Sequence, residues 1–187
     1  MAQAAQATSP PHQAVPPAPF IVTAELPADL LGWADGLRRA HYPPERNVLA
    51  AHVTLFHSFA PSLRDELRAL LGTLAGQCAP PPARLAGVMD LGGGTAIAIE
   101  SPAMLELRAR IADRFHGALT VQDSHQPRLH ITVQNKVDRP AARALQRELA
   151  PVILARSFAF AGFGLHLYRR THWEPLGRWP FRGKTGS

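Results

Sequence analysis

Glu100-Ser101-Pro102-Ala103-Met104-Leu105 repeats Glu25-Leu26-Pro27-Ala28-Asp29-Leu30 at four of its six positions, keeping Glu, Pro, Ala and Leu in place. Each hexapeptide closes a strand-like apolar run, over 20–26 and 95–100, and opens a helix through its proline. Proline suits that place because the first helical turn has no use for its missing N–H. Leu30, Leu31, Trp33 and Leu37 recur on one side of the first helix, predicted over 28–39; the second runs from Ser101-Pro102 to about His116. A loop follows each, 41–47 with Pro43-Pro44 and 117–126. A second strand comes next, over 50–59 and 128–137, and each of these holds one His-x-Thr: His52-Val53-Thr54 and His130-Ile131-Thr132. A further helix ends each unit, from Ser62 as N-cap to about Leu74, and from Pro140 to about Leu149.

His52 lies 25 residues beyond Pro27, and His130 lies 28 beyond Pro102. Two His-x-Thr tripeptides at equivalent places of two strand–helix–strand–helix units mark a duplication. The remaining strands are expected over 83–90, 157–169 and 171–181, with Gly92-Gly93-Gly94 as a turn. The predicted fold is α+β: a bilobal pseudo-two-fold duplication in which antiparallel sheets form a central cleft and helices pack outside. Residues 1–19, rich in Ala, Gln and Pro, read as a disordered leader, 20–183 as the two-lobed domain and 184–187 as a tail.

In a strand, side chains two apart share a face. Each His therefore points with its Thr, and paired strands bring two imidazoles and two hydroxyls into one cleft. Imidazole exchanges protons near neutral pH, so one His can take a proton from a nucleophile while the other protonates a leaving oxygen. The Thr hydroxyls can donate to non-bridging phosphate oxygens. The same alternation puts Gln134, Lys136 and Arg128 on the His130 side as candidate substrate contacts, and Tyr168 with His166 on a face able to stack on a base. His57, at odd spacing from His52, is expected on the opposite face.

The nine histidines include no His-x-His and no helical His-x-x-x-His, and the one cysteine, Cys78, supports neither a disulfide framework nor a thiolate zinc site. No metal or cofactor is expected. A Walker phosphate loop and a Gly-x-Ser-x-Gly elbow are both lacking. A formal charge of +6, carried by arginine except at Lys136 and Lys184, favours an anionic partner such as RNA or a phosphorylated small molecule; it equally fits a composition bias toward Arg, Ala and Pro. No membrane segment or secretory signal is legible, which predicts a cytoplasmic protein, and a monomer is expected.

Ala51-His52-Val53-Thr54-Leu55-Phe56 and Leu129-His130-Ile131-Thr132-Val133-Gln134-Asn135-Lys136-Val137 resemble the signatures of the two-histidine phosphoesterases, in the branch of 2′-5′ RNA ligase-like proteins that includes RNA 2′,3′-cyclic phosphodiesterases. The resemblance extends to Leu167-Tyr168-Arg169, Trp173-Glu174-Pro175 and Trp179-Pro180-Phe181, covering about 20–183. It implies two histidines facing across a cleft and hydrolysis of a cyclic phosphodiester without metal. By it, His52 and His130 are the acid–base pair, and Thr54 and Thr132 bind the phosphate. The expected substrate is an RNA end or a nucleotide-like cyclic phosphate, opened to a 2′-phosphate. A 2′-5′ RNA ligase and a non-catalytic RNA- or nucleotide-binding protein are the alternatives. The expected order has His130 activating water and His52 protonating the 3′ oxygen, although the motifs leave the order open.

Overall fold

A computed structural model describes residues 18–169 and 172–184. Most of the expected leader and the last three residues of the expected tail lie outside the described residues. The chain runs β1 (Phe20–Glu25), α1 (Ala28–His41), β2 (Val53–Phe59), α2 (Arg64–Gln77), β3 (Pro82–Asp90), β4 (Gly94–Glu100), α3 (Pro102–Arg114), α4 (Val121–Ser124), β5 (His130–Asn135), α5 (Arg139–Leu149), β6 (Ser157–Ala159), β7 (Gly162–Arg169) and β8 (His172–Pro180).

The strands form two four-stranded antiparallel sheets, ordered β2-β1-β7-β8 and β5-β4-β3-β6. The duplication predicted from the sequence is visible in that order: each His-x-Thr strand is an edge strand, backed by the strand that ends in the repeated Glu. The third strand of each sheet comes from a different place in the chain. β3 precedes the second unit, whereas β7 returns from the C-terminal end to pair with β1. The continuous strand expected over 157–169 is therefore two, β6 in one sheet and β7 in the other, with the chain crossing between lobes at Phe160–Ala161.

Helix boundaries follow their caps. Ser101 and Asp138 accept N–H bonds from Met104 and Ala141 and start α3 and α5, while Thr120 caps α4 within the stretch expected to be an irregular loop. Ser62 does not cap α2; it lies in the 3-10 turn Pro61–Leu63 that precedes it. α2 covers β7 and β8, and α5 covers β3 and β4, burying Leu67, Leu71 and Leu74 on one and Ala142, Leu145 and Leu149 on the other. Between the lobes, Phe56 and Phe59 of β2 meet at 5.0 Å, and Phe59 meets Phe115 after α3 at 5.2 Å, edge-on. All three are buried, and each such ring contributes roughly 1.5–3 kcal/mol by leaving water.

Both edge strands carry a bulge at the same place. Val22 pairs with Phe56 and Thr23 with Thr54, so Leu55 is the extra residue in β2. Thr95 pairs with Gln134 and Ala96 with Thr132, so Val133 is the extra residue in β5. A bulge resets which face the following side chains take. It also frees backbone groups, and buried arginines from the other half satisfy them. Arg108 of α3 donates Nε–H to the Leu55 carbonyl at 3.3 Å, and Arg38 of α1 donates Nη1–H to the Thr132 carbonyl at 2.7 Å.

Candidate active site

His52 immediately precedes β2 and His130 opens β5, and the two edges meet along a cleft of about 560 Å³. Each imidazole is fixed in the same way. Nδ1 of His52 lies 2.8 Å from the Ala50 carbonyl, and Nδ1 of His130 lies 2.7 Å from the Arg128 carbonyl. A carbonyl can only accept, so Nδ1 carries the proton in both rings and Nε2 is left for the cleft. Thr54 and Thr132 line the same space.

The two histidines differ in their surroundings. The His52 ring packs against Trp173 with centroids 4.5 Å apart, and Trp173 in turn lies 5.6 Å from the ring of His166. Burial pushes the His52 imidazole down to about 4; the Ala50 hydrogen bond opposes the shift, and the charges of Arg38, His166 and His130 add to it. His52 is thus neutral at neutral pH, with a free lone pair on Nε2.

A polar chain lies beneath Trp173. Thr23 Oγ1 donates to Glu25 Oε1 at 3.2 Å and sits 3.0 Å from His166 Nε2, which therefore donates to it. Glu25 is ion-paired with Arg178. Gly164 makes room for this group, since a Cβ there would collide with Glu25, Thr23 and His166. Burial lowers the His166 imidazole as well. A second cavity of about 320 Å³ opens beside this chain and shares His52 and Trp173 with the cleft.

Several sequence-predicted residues fall elsewhere. Gln134 is not on the cleft side: it is buried, and its Oε1 accepts from Thr95 Oγ1 at 3.3 Å. The extra residue Val133 resets the alternation, so Asn135 lines the cleft in its place. Lys136 is exposed outside the cleft at a left-handed φ of 59°, its N–H donating to Asn135 Oδ1 at 2.8 Å. Tyr168 is 41% exposed and also outside; its cross-strand partner Trp173 is the ring that reaches the site. Arg128 lies on the cleft wall.

His57 is likewise a correction. The Leu55 bulge turns it to the cleft, on the same side as His52 rather than the opposite one. It is clasped by Asp123, whose carboxylate accepts the backbone N–H of His57 and Ser58 and lies 3.0 Å from His57 Nδ1. Asp123 is 2% exposed. Burial pushes its carboxyl up, but the hydrogen bonds from His57 and Ser58 outweigh this and hold it below the usual carboxylate range. A composition-level signal for this clasp is lacking; it is created by a bulge and by the short helix α4, 66 residues away.

Among the described residues, no acidic side chain lines the cleft, and no three His, Cys, Asp or Glu side chains cluster as metal ligands. No helix among them is long and apolar enough to cross a membrane. The arrangement can move protons at two points and hold an anion between them.

The fold is similar to that of TT0787 of Thermus thermophilus, with 18% identity over 89% of this chain and 100% of that one, at a TM-score of 0.65. It is also similar to LigT of E. coli, in structures with NADP+ (19% identity, 88% and 98% covered, TM-score 0.59) and with 3′-AMP (21%, 88% and 98%, TM-score 0.57). A search of curated protein sequences finds no match. The sequence profile of the 2′-5′ RNA ligase superfamily matches residues 26–172, a span that holds both His-x-Thr motifs, and the chain belongs to that superfamily of two-histidine phosphoesterases.

Proposed function

We propose that the protein hydrolyses a cyclic phosphodiester, an RNA or nucleotide 2′,3′-cyclic phosphate opened to a 2′-phosphate, by a His–His acid–base pair and without a metal step. The observation that carries this is the matched fixing of His52 and His130, each with Nδ1–H tied to the carbonyl two residues back and Nε2 left for a cleft that Thr54 and Thr132 also line. Both imidazoles come from one polypeptide, so a monomer suffices. The LigT structures with 3′-AMP and NADP+ support a nucleotide as the ligand class.

The neutral state of His52 supports roles opposite to those expected from the motif order. His52 Nε2 takes a proton from water as its oxygen bonds to phosphorus. The P–O3′ bond breaks, and His130, entering the step protonated on both ring nitrogens, delivers its Nε2 proton to O3′. Thr54 and Thr132 hydroxyls donate to the non-bridging oxygens as charge builds on them.

The test is hydrolysis of a nucleoside 2′,3′-cyclic phosphate in EDTA, with the product identified by phosphorus NMR. Activity should fall at least roughly 10³-fold in His52→Ala and in His130→Ala, within the range such groups contribute. Turnover surviving both substitutions overturns the reading, and binding without turnover favours the non-catalytic alternative. A diester with a good leaving group separates the roles: it should rescue His130→Ala and not His52→Ala. The superfamily's name favours the ligase as second reading. Its mark would be joining of a 2′,3′-cyclic phosphate end to a 5′-hydroxyl end by wild-type protein.

A further inference from the structure

The matched bulges after Thr54 and Thr132 bring a third pair of side chains, His57 and Asn135, to the cleft at equivalent places on the two edge strands. Both have their inner polar atom tied within the protein. Asp123 holds His57 Nδ1 at 3.0 Å, and the Lys136 N–H holds Asn135 Oδ1 at 2.8 Å. That leaves Nε2 of His57 and the Nδ2 amide of Asn135 as the free groups. His125 and Arg128 also line the cleft, and no acidic side chain joins them among the described residues.

We infer that this third pair is a second anion subsite, which takes the phosphate adjacent to the scissile one and makes a 5′-phosphorylated RNA end, rather than a bare nucleoside cyclic phosphate, the preferred substrate. Along a strand, one step of side chains on a face is about 7 Å, comparable to the spacing of neighbouring phosphates in an extended nucleic-acid strand. With the scissile phosphate between the two His-x-Thr motifs, the next phosphate reaches His57 and Asn135. The Asn135 amide donates to it directly. His57 turns Nε2 to it, with the Asp123 carboxylate held behind at Nδ1 and Arg108 beyond Asp123, and Arg128 and His125 line the same cleft.

The inference rests on the cyclic phosphodiesterase reading, and one experiment separates the two. Initial rates are measured with adenosine 2′,3′-cyclic phosphate and with the same nucleotide carrying a 5′-phosphate. Wild-type kcat/KM should be at least tenfold higher for the 5′-phosphorylated compound. In His57→Ala that ratio should fall to within threefold of unity; the clasp keeps its backbone bonds to Asp123 in this variant, and circular dichroism verifies the fold. Asn135→Ala, on the other strand, should reduce the same ratio. A ratio near one in the wild type, or one that survives both substitutions, overturns the subsite. Absence of turnover with either compound overturns the cyclic phosphodiesterase reading, and the subsite with it.

Discussion

Arg38, on the helix of the first repeat, donates Nη1–H to the backbone carbonyl of Thr132, in the motif of the second, at 2.7 Å. Arg38 is 3% exposed, and its guanidinium also lies over the Tyr42 ring, 4.4 Å from its centroid. It ties one half of the site to the other at a carbonyl next to the β5 bulge. Arg38→Met keeps the volume but leaves that carbonyl unpaired, and urea denaturation should show a loss of about 2–3 kcal/mol.

Stability should fall in acid through His52. Its pKa is about 4 in the folded chain and about 6.5 in the unfolded one, so protons bind the unfolded chain more tightly. The loss begins as pH falls below about 6.5 and is complete near 4, reaching up to about 3 kcal/mol. His52→Asn removes this term. Unfolding free energies of the two proteins, measured from pH 7 to 4, should converge by that amount.

Trp173 keeps water from His52. In Trp173→Ala the imidazole is hydrated and its titration, followed by NMR, should move up from about 4 toward the ordinary value of about 6.5. The acid limb of kcat/KM should move with it. A limb that stays put while His52 shifts would show that another group sets it.

Asp123 fixes the 116–127 segment to β2, with Arg108 holding its backbone carbonyl. Asp123→Ala leaves the His57 and Ser58 N–H groups without their acceptor, for a loss of about 2–4 kcal/mol. Because the carboxyl is held below its ordinary value, the charge-dependent part of this contribution is present above about pH 3.8 and is lost as pH falls below it. Faster amide exchange should be confined at first to 116–127 and the end of β2.

The fold class and the His-x-Thr faces were legible because they depend on short-range rules. A proline after a strand starts a helix, and residues two apart share a face. Where the period of two was carried past the motifs, it placed Gln134 in the cleft and His57 outside it, and both placements were reversed by the extra residue that follows each motif, Val133 in β5 and Leu55 in β2. A bulge leaves no mark in a run of strand-forming residues such as Val53-Thr54-Leu55-Phe56. Tyr168 was one strand away from the ring that occupies the place expected for it, because the register of β7 on β8 pairs it with Trp173.

The duplication, the two His-x-Thr strands and a basic charge suited to an anionic partner follow from the chain alone, since repeat spacing, side-chain alternation and charge need no folded neighbour. Folding settled how the two histidines differ from each other. Trp173 returns from the C-terminal strand to cover His52, so desolvation rather than residue type keeps this imidazole neutral at neutral pH. Folding also brought His57 to the cleft, because Asp123 reaches it only when the other lobe packs across to hold it.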